Sequence, residues 1–289
     1  MPGISSALID PQELAAKLGA PDLVLLDIRS AVDGGGRAAY DAGHIPGAVH
    51  TDYVTGGWRA SRNGGAGMLP EADALGALFG RLGIVPASDV VVIPAGVSAG
   101  DFAAASRVYW TLKAAGHHHL SLLDGGYAAW AASGLPVETA PGEPRTAPDY
   151  PVAFDPSLRA LAPDVEQAMT DGSAILVDTR NQASFEGLEQ SKQAARPGRI
   201  PGSLHLEGAR AYDTARNRLK PRAELEQLFG AAPGRPVIPY CNTGQQAATN
   251  WFVLSEILGQ PDVRLYDGSL SEWTHDPARP VETGPAERG

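Results

Sequence analysis

Cys241 is the only thiol in the chain. It follows Pro236-Val237-Ile238-Pro239-Tyr240, which reads as a short buried strand, and it opens the polar loop Cys241-Asn242-Thr243-Gly244-Gln245-Gln246. Ala247 to Leu258 then reads as an amphipathic helix. A sulfur at a strand-to-helix turn faces N–H groups that lack partners within the helix, and the positive end of the helix dipole. Both favour thiolate over thiol. Such a sulfur is a nucleophile, and the amides of residues 242 to 246 could ring whatever it binds. Gly244 lets the loop turn sharply. A lone cysteine is more often an inert core residue. Two features oppose that here: the polar loop, and a second copy of the segment that lacks the thiol.

The second copy lies in the first half of the chain. Ile93-Pro94-Ala95-Gly96 matches Ile238-Pro239-Tyr240-Cys241, and each precedes a small polar loop and a helix. Leu25-Leu26-Asp27-Ile28-Arg29 pairs with Leu176-Val177-Asp178-Thr179-Arg180, and Ile45-Pro46-Gly47 with Ile200-Pro201-Gly202. Asp124-Gly125 and Trp130 pair with Asp267-Gly268 and Trp273, and Pro136-Val137-Glu138-Thr139 with Pro280-Val281-Glu282-Thr283. Five landmarks in one order indicate an internal duplication.

Elements that would position the thiol follow the same repeat. Strands are predicted at Leu23 to Asp27, Val90 to Pro94 and Leu120 to Leu123, then at Ala174 to Val177, Val237 to Tyr240 and Val263 to Tyr266. Helices are predicted at Ala72 to Leu82, Asp101 to Ala115, Arg222 to Phe229 and Ala247 to Leu258. This alternation indicates an α/β fold, a parallel sheet with helices on both faces in each half. Ligand chemistry in such sheets lies at the carboxyl ends of the strands, where Cys241 falls. The expected organisation is a domain over 1–139, a proline-rich stiff linker over 140–156 and a catalytic domain over 157–289, with the thiol in a cleft facing the first domain.

Composition narrows the function. The chain has 43% hydrophobic and 19% charged residues, as a soluble globular protein does. No apolar run is long enough to span a membrane. Residues 1–14 lack a basic stretch followed by an apolar core, so no signal peptide is expected. One cysteine permits no internal disulfide, which suits a reducing cytoplasm. A net charge of −10 argues against nucleic acid or an anionic membrane as main partner. An anionic substrate would therefore need local Arg or Lys.

The residues His44-Ile45-Pro46-Gly47-Ala48, Asp124-Gly125-Gly126, Asp178-Thr179-Arg180, Asp267-Gly268 and the Cys241 loop make the chain similar to the tandem-domain rhodaneses, the thiosulfate and 3-mercaptopyruvate sulfurtransferases. The resemblance runs from about Ser6 to Thr283. It implies two rhodanese-like domains, the first inactive, as Gly96 in place of cysteine independently suggests. It also implies a persulfide on Cys241, loaded by a small anionic sulfur donor and discharged to cyanide or a thiol, with no cofactor and no metal. Thiosulfate enzymes of the vertebrate type carry Arg and Lys after the cysteine, where this chain has Asn242 and Thr243. Thr243-Gly244 resembles the mercaptopyruvate pattern, in which a loop Ser is grouped with the His of the HIPGA motif and an upstream Asp. Thr243, His44 and Asp33 would fill those places. The family's Arg shortly after Asp-x-Arg is replaced by Ser184, so Lys192, Arg196 and Arg199 are the candidate anion ligands.

Plainer roles stand beside these. Arg29 and Arg180 fit buried ion-pair partners, and Asp124 and Asp267 fit turn formers. His117-His118-His119 fits a solvated loop rather than a metal tract. Gly34-Gly35-Gly36 and Gly64-Gly65 fit flexible surface, and Trp58 to Met68 a mobile flap. Two rival functions remain. A phosphatase of related fold needs an Arg to close the loop on phosphate, where Gln246 and Ala247 stand. A persulfide carrier serving a partner protein would accept sulfur without turning over small donors.

Overall fold

A computed structural model describes residues 6–33, 35–62, 64–139, 146–230 and 234–285. Met1–Ser5, Gly34, Asn63 and residues 140–145, 231–233 and 286–289 lie outside the described residues, and with them parts of the expected linker, flap and glycine run. The chain forms two compact units.

The first unit holds a five-stranded, all-parallel sheet in the order Leu8–Ile9, Leu120–Leu123, Asp89–Ile93, Leu23–Asp27, Ala48–His50. Its inner strands are near-continuous apolar runs because helices cover both faces. Helices form at Ala72–Arg81 and Ala99–Ala114, close to the predicted bounds. Ser98 caps the second of these by accepting the Asp101 N–H. Ile9, Leu25, Ile45, Val91, Ile93, Leu123 and Trp130 lie together in its core.

The second unit repeats this order. Arg159–Ala160 pairs with Leu265–Tyr266, and Val237–Tyr240 pairs with Ile175–Asp178, which pairs with Leu204–His205, all in parallel. The bridge between Val237 and Val263 joins the two sets. The predicted strand Val263 to Tyr266 shrinks to Leu265–Tyr266. The helix after the cysteine loop is α-helical over Gln245–Trp251 and π-helical over Phe252–Ile257.

Side chains keep the duplication visible. Arg29 donates to Asp27 and to Gly43 O (2.8 Å), and Arg180 donates to Asp178 and to Gly198 O (2.7 Å). His50 Nε2 lies 2.8 Å from Arg29 O, and His205 Nε2 lies 2.7 Å from Arg180 O. Trp130 Nε1 donates to Pro136 O and Trp273 Nε1 to Pro280 O, both at 2.8 Å.

Each unit is completed by a hairpin from the other half of the sequence. Arg59–Leu69 belongs to the second unit and Tyr212–Leu219 to the first. The Leu69 N–H donates to Asp267 Oδ2 (2.6 Å), and a main-chain hydrogen bond from Leu219 reaches Asp124. The two aspartates expected to form turns are therefore also hairpin anchors. Asp267 further pairs with Arg159 (2.9 Å), and Asp124 with Arg218 (3.4 Å). The expected flap is a hairpin pairing Ala60–Arg62 with Gly65–Met68, bonded to the second unit at Ala66 and Leu69.

The histidine tract also departs from expectation. His118 and His119 are exposed, but His117 is fully buried, with Nε2 2.9 Å from Ser88 O and Nδ1 3.2 Å from Tyr150 Oη. Burial pushes its pKa down to about 4, so it sits in the core as a neutral ring.

Candidate active site

Strand Val237–Tyr240 ends at Cys241, at the carboxyl edge of the second unit's sheet. The Tyr240 side chain locks that end, donating to Ser203 Oγ (2.9 Å) and accepting from Ile200 N (3.1 Å). Gly244 takes φ +76° and starts the helix. Cys241 is 1% exposed. Its N–H donates to Ser269 Oγ (3.1 Å), whose hydroxyl donates to Tyr266 O (2.8 Å). Two carbonyls of the loop are held as well: Cys241 O accepts from Leu270 N (3.1 Å) and Asn242 O from Ser271 N (2.9 Å).

These bonds turn the carbonyls of Cys241 and Asn242 onto the neighbouring turn. Among the described residues, the N–H groups of Asn242, Gly244 and Gln246 meet no acceptor. Asn242, Thr243 and Gln245 are half-buried and Gln246 is exposed, so the loop is not walled in hydrocarbon. Burial acts to lower the pKa of Arg180, and the Asp178 hydrogen bond with the charges of Asp178, Tyr240 and Cys241 outweighs it.

The corresponding loop of the first unit holds a carboxylate of its own. Gly96, Val97, Ser98 and Asp101 match Cys241, Asn242, Thr243 and Gln246 in the repeat. Asp101 Oδ2 accepts from Val97 N (2.7 Å) and Ser98 N (3.4 Å), with a further main-chain contribution from Gly96. An internal carboxylate therefore fills the amide cradle of the first unit. In the second unit, Gln246 stands there and its side chain is exposed. Among the described residues, no internal anion fills the cradle of the second unit.

Asp101 is 1% exposed, and burial raises its pKa to about 6 against the opposing amide bonds. A carboxyl raised in the folded state gives stability that is complete below its unfolded pKa, near 4. That stability is lost as pH climbs through the folded value. Asp101→Asn should therefore gain relative to wild type by up to about 3 kcal/mol between pH 4 and 7. Urea melts of both proteins at the two pH values check this; a gap that does not change with pH would refute it.

The other predicted residues have different surroundings. His44 is fully buried in the first unit, stacked on Tyr40 at 3.9 Å, with Nδ1 2.9 Å from Tyr40 O and Nε2 3.9 Å from Glu138. Asp33 accepts from Ser30 Oγ (2.8 Å), and no hydrogen bond joins it to His44. Arg199 occupies in the second unit the place of His44, lying over Phe185 and bonded to Glu282 (3.3 Å) and Gly284 O (2.7 Å). Arg196 donates to Asp276 O (2.9 Å) and Arg279 O (2.8 Å). Through these contacts the two guanidinium groups hold residues 276–284 to the unit. Lys192 is exposed and has no partner among the described residues.

Sequence reasoning missed Ser269 and Asp101. Ser269 takes φ +49°, a left-handed conformation rare outside glycine, at the place where the first unit has Gly126. Serine against glycine at matching places in the repeat was the available signal. Asp101 stood three residues after a Ser, the spacing of a capping box. No group of three or more His, Cys, Asp or Glu among the described residues could hold a metal. No helix of the described residues is long and apolar enough to cross a membrane.

Comparison with known proteins agrees with this geometry. The model of the rhodanese-like domain matches residues 10–133 and again 161–276. A thiosulfate sulfurtransferase of Pseudomonas aeruginosa is 33% identical, covering 95% of this chain and 96% of its own length. A probable 3-mercaptopyruvate sulfurtransferase of the same organism is 37% identical, covering 97% and 99%. Among solved structures, the 3-mercaptopyruvate sulfotransferase SseA of Escherichia coli superposes with a TM-score of 0.77 at 27% identity, covering 92% of this chain and 99% of that one. With two such domains, one bearing the loop thiol and the other a glycine in its place, the chain belongs to the rhodanese family, among the tandem-domain sulfurtransferases.

Proposed function

We propose that the chain moves sulfane sulfur from thiosulfate or 3-mercaptopyruvate to cyanide or a thiol, through a persulfide on Cys241. The observation that carries this reading is the contrast between the two loops. One cradle is filled by Asp101, and its counterpart around Cys241 leaves the amides of Asn242, Gly244 and Gln246 without an acceptor. An external anion can take the place that the first unit gives to its own carboxylate.

In the first half-reaction the Cys241 thiolate attacks the outer sulfur of the donor. With thiosulfate the S–S bond breaks and sulfite leaves with its electron pair. With 3-mercaptopyruvate the C–S bond breaks and the carbon fragment leaves as pyruvate enolate, which takes up a proton. The loop amides hold the charge that stays on the persulfide. In the second half-reaction cyanide or a thiolate attacks the terminal sulfur and the Cys241 thiolate is regenerated. No second cysteine is present to resolve the persulfide internally, so the acceptor comes from outside.

Thiosulfate, the more compact donor, is the one we favour, because the cysteine it must reach is buried, with 1% of the residue exposed. The same burial disfavours a carrier, which must present its persulfide to another protein's thiol. On this reading residues 1–139 form an inactive domain and 157–289 the catalytic one, apart from the exchanged hairpins. The lone cysteine suits a reducing cytoplasm, and the acidic balance argues against nucleic acid. Thiocyanate formation from each donor tests the proposal. Turnover with at least one donor is expected, with thiosulfate giving the higher kcat/KM. Silence with both, together with sulfur uptake from a persulfidated protein, would point to the carrier instead.

A further inference from the structure

The hairpin that the first half of the sequence lends to the second unit lies directly on the cysteine loop. Its main chain is fixed at three places. The Leu69 N–H donates to Asp267, the Ala66 N–H donates to Ser271 Oγ (3.0 Å), and Gly67 packs on Thr243. A Cβ added at Gly67 would stand 2.8 Å from Thr243 O and 3.0 Å from Thr243 Cβ, and Gly67 has φ +78°. No other residue fits there without moving the loop.

The groups that anchor the hairpin also hold the loop. Asp267 and Ser271 bind the hairpin, while Ser269 accepts the Cys241 N–H and the Ser271 N–H donates to Asn242 O. The turn 267–271 therefore forms one wall of the loop and the hairpin forms another. The turn holds Cys241 and Asn242, and Gly67 of the hairpin packs on Thr243. With Asn242, Thr243 occupies the places at which the thiosulfate and mercaptopyruvate patterns differ.

We infer that Gly67 is a positioning residue for sulfur transfer: its main chain, packed on Thr243, sets the shape of the Cys241 loop and with it the choice of donor. The inference rests on the function proposed above. It makes the specificity of the second unit depend on a segment encoded in the first half of the chain.

Full-length Gly67→Ala tests it, with Gly172→Ala as the control. Gly172 has a similar positive φ of +67° in the same unit, and nothing lies within 4 Å of an added Cβ. Steady-state kinetics with both donors, alkylation of the sole thiol by iodoacetamide and thermal melting are measured on all three proteins. Gly67→Ala is expected to lower kcat at least about tenfold, with KM changed less than about threefold. The ratio of the two donors' kcat/KM should shift at least about threefold. The alkylation rate should also shift at least about threefold, while Gly172→Ala, which shares the cost of Ala at positive φ in the melt, stays close to wild type in kinetics and alkylation. Wild-type kinetics and alkylation in Gly67→Ala would overturn the inference, as would equal losses in both variants. If wild type turns over neither donor, the functional reading fails alone, and the alkylation comparison still decides whether Gly67 shapes the loop.

Discussion

Cys241→Ser is expected to lower thiocyanate formation from either donor by at least roughly a thousandfold. The two side chains differ by one atom, and the site is 1% exposed and bounded by main-chain bonds to Ser269, Leu270 and Ser271, so the fold should be retained. A hydroxyl in that place is almost fully protonated at neutral pH and cannot carry a sulfane sulfur. Because Cys241 is the only thiol, intact-protein mass spectrometry gives an unambiguous second readout. Wild type incubated with donor alone should gain the mass of one sulfur, and the serine variant should gain none. Equal turnover in the two proteins would remove the mechanism, including every role assigned to the loop.

The second large effect concerns the first unit. Gly96→Cys restores the residue that the repeat has lost, yet it should create no second site and should destabilise the protein by at least about 3 kcal/mol. Gly96 has φ +79°, and a Cβ there would fall on the carbonyl oxygen of Gly125 and 2.8 Å from its carbonyl carbon. The obstacle is not a side chain that can swing away. In the first unit the N–H groups of Tyr127 and Ala128 donate to Pro94 O and Ala95 O, whereas in the second those of Leu270 and Ser271 donate to Cys241 O and Asn242 O. Matched through the repeat, the loop of the first unit is threaded two residues out of step past its neighbouring turn. Urea denaturation and thiosulfate turnover of Gly96→Cys combined with Cys241→Ser check both halves of the prediction. Wild-type stability, or measurable turnover, would show that the threading is adaptable.

The landmarks of the duplication were legible because each is a local signal. Apolar runs of four or five residues gave the strands, and Gly96 against Cys241 marked which half has the nucleophile. Arg29 and Arg180 proved to be the buried ion-pair partners their position suggested. What stayed hidden depends on partners distant in sequence. Nothing near Gly67 announces Thr243, and nothing near Asp124 announces Leu219. His117 looked solvated because its neighbours are polar, but Tyr150 and Ser88 close over it from elsewhere in the unit. Arg196 and Arg199 looked available for an anion, and their acceptors are carbonyls and a carboxylate some 80 residues on, near the chain's end.

The reciprocal loan of hairpins has a consequence for how the protein is made. When residues 1–155 have left the ribosome, the body of the first unit is present, but its closing segment Tyr212–Leu219 has yet to be synthesised. Translation at ordinary speed leaves a delay on the order of several seconds. During that interval Arg59–Leu69 is already out and has nothing to cover, because the turn and loop it packs on come later still. Neither half can finish before the other has begun. A gene cut after Asp155 should therefore yield two fragments that reach native form only when expressed together.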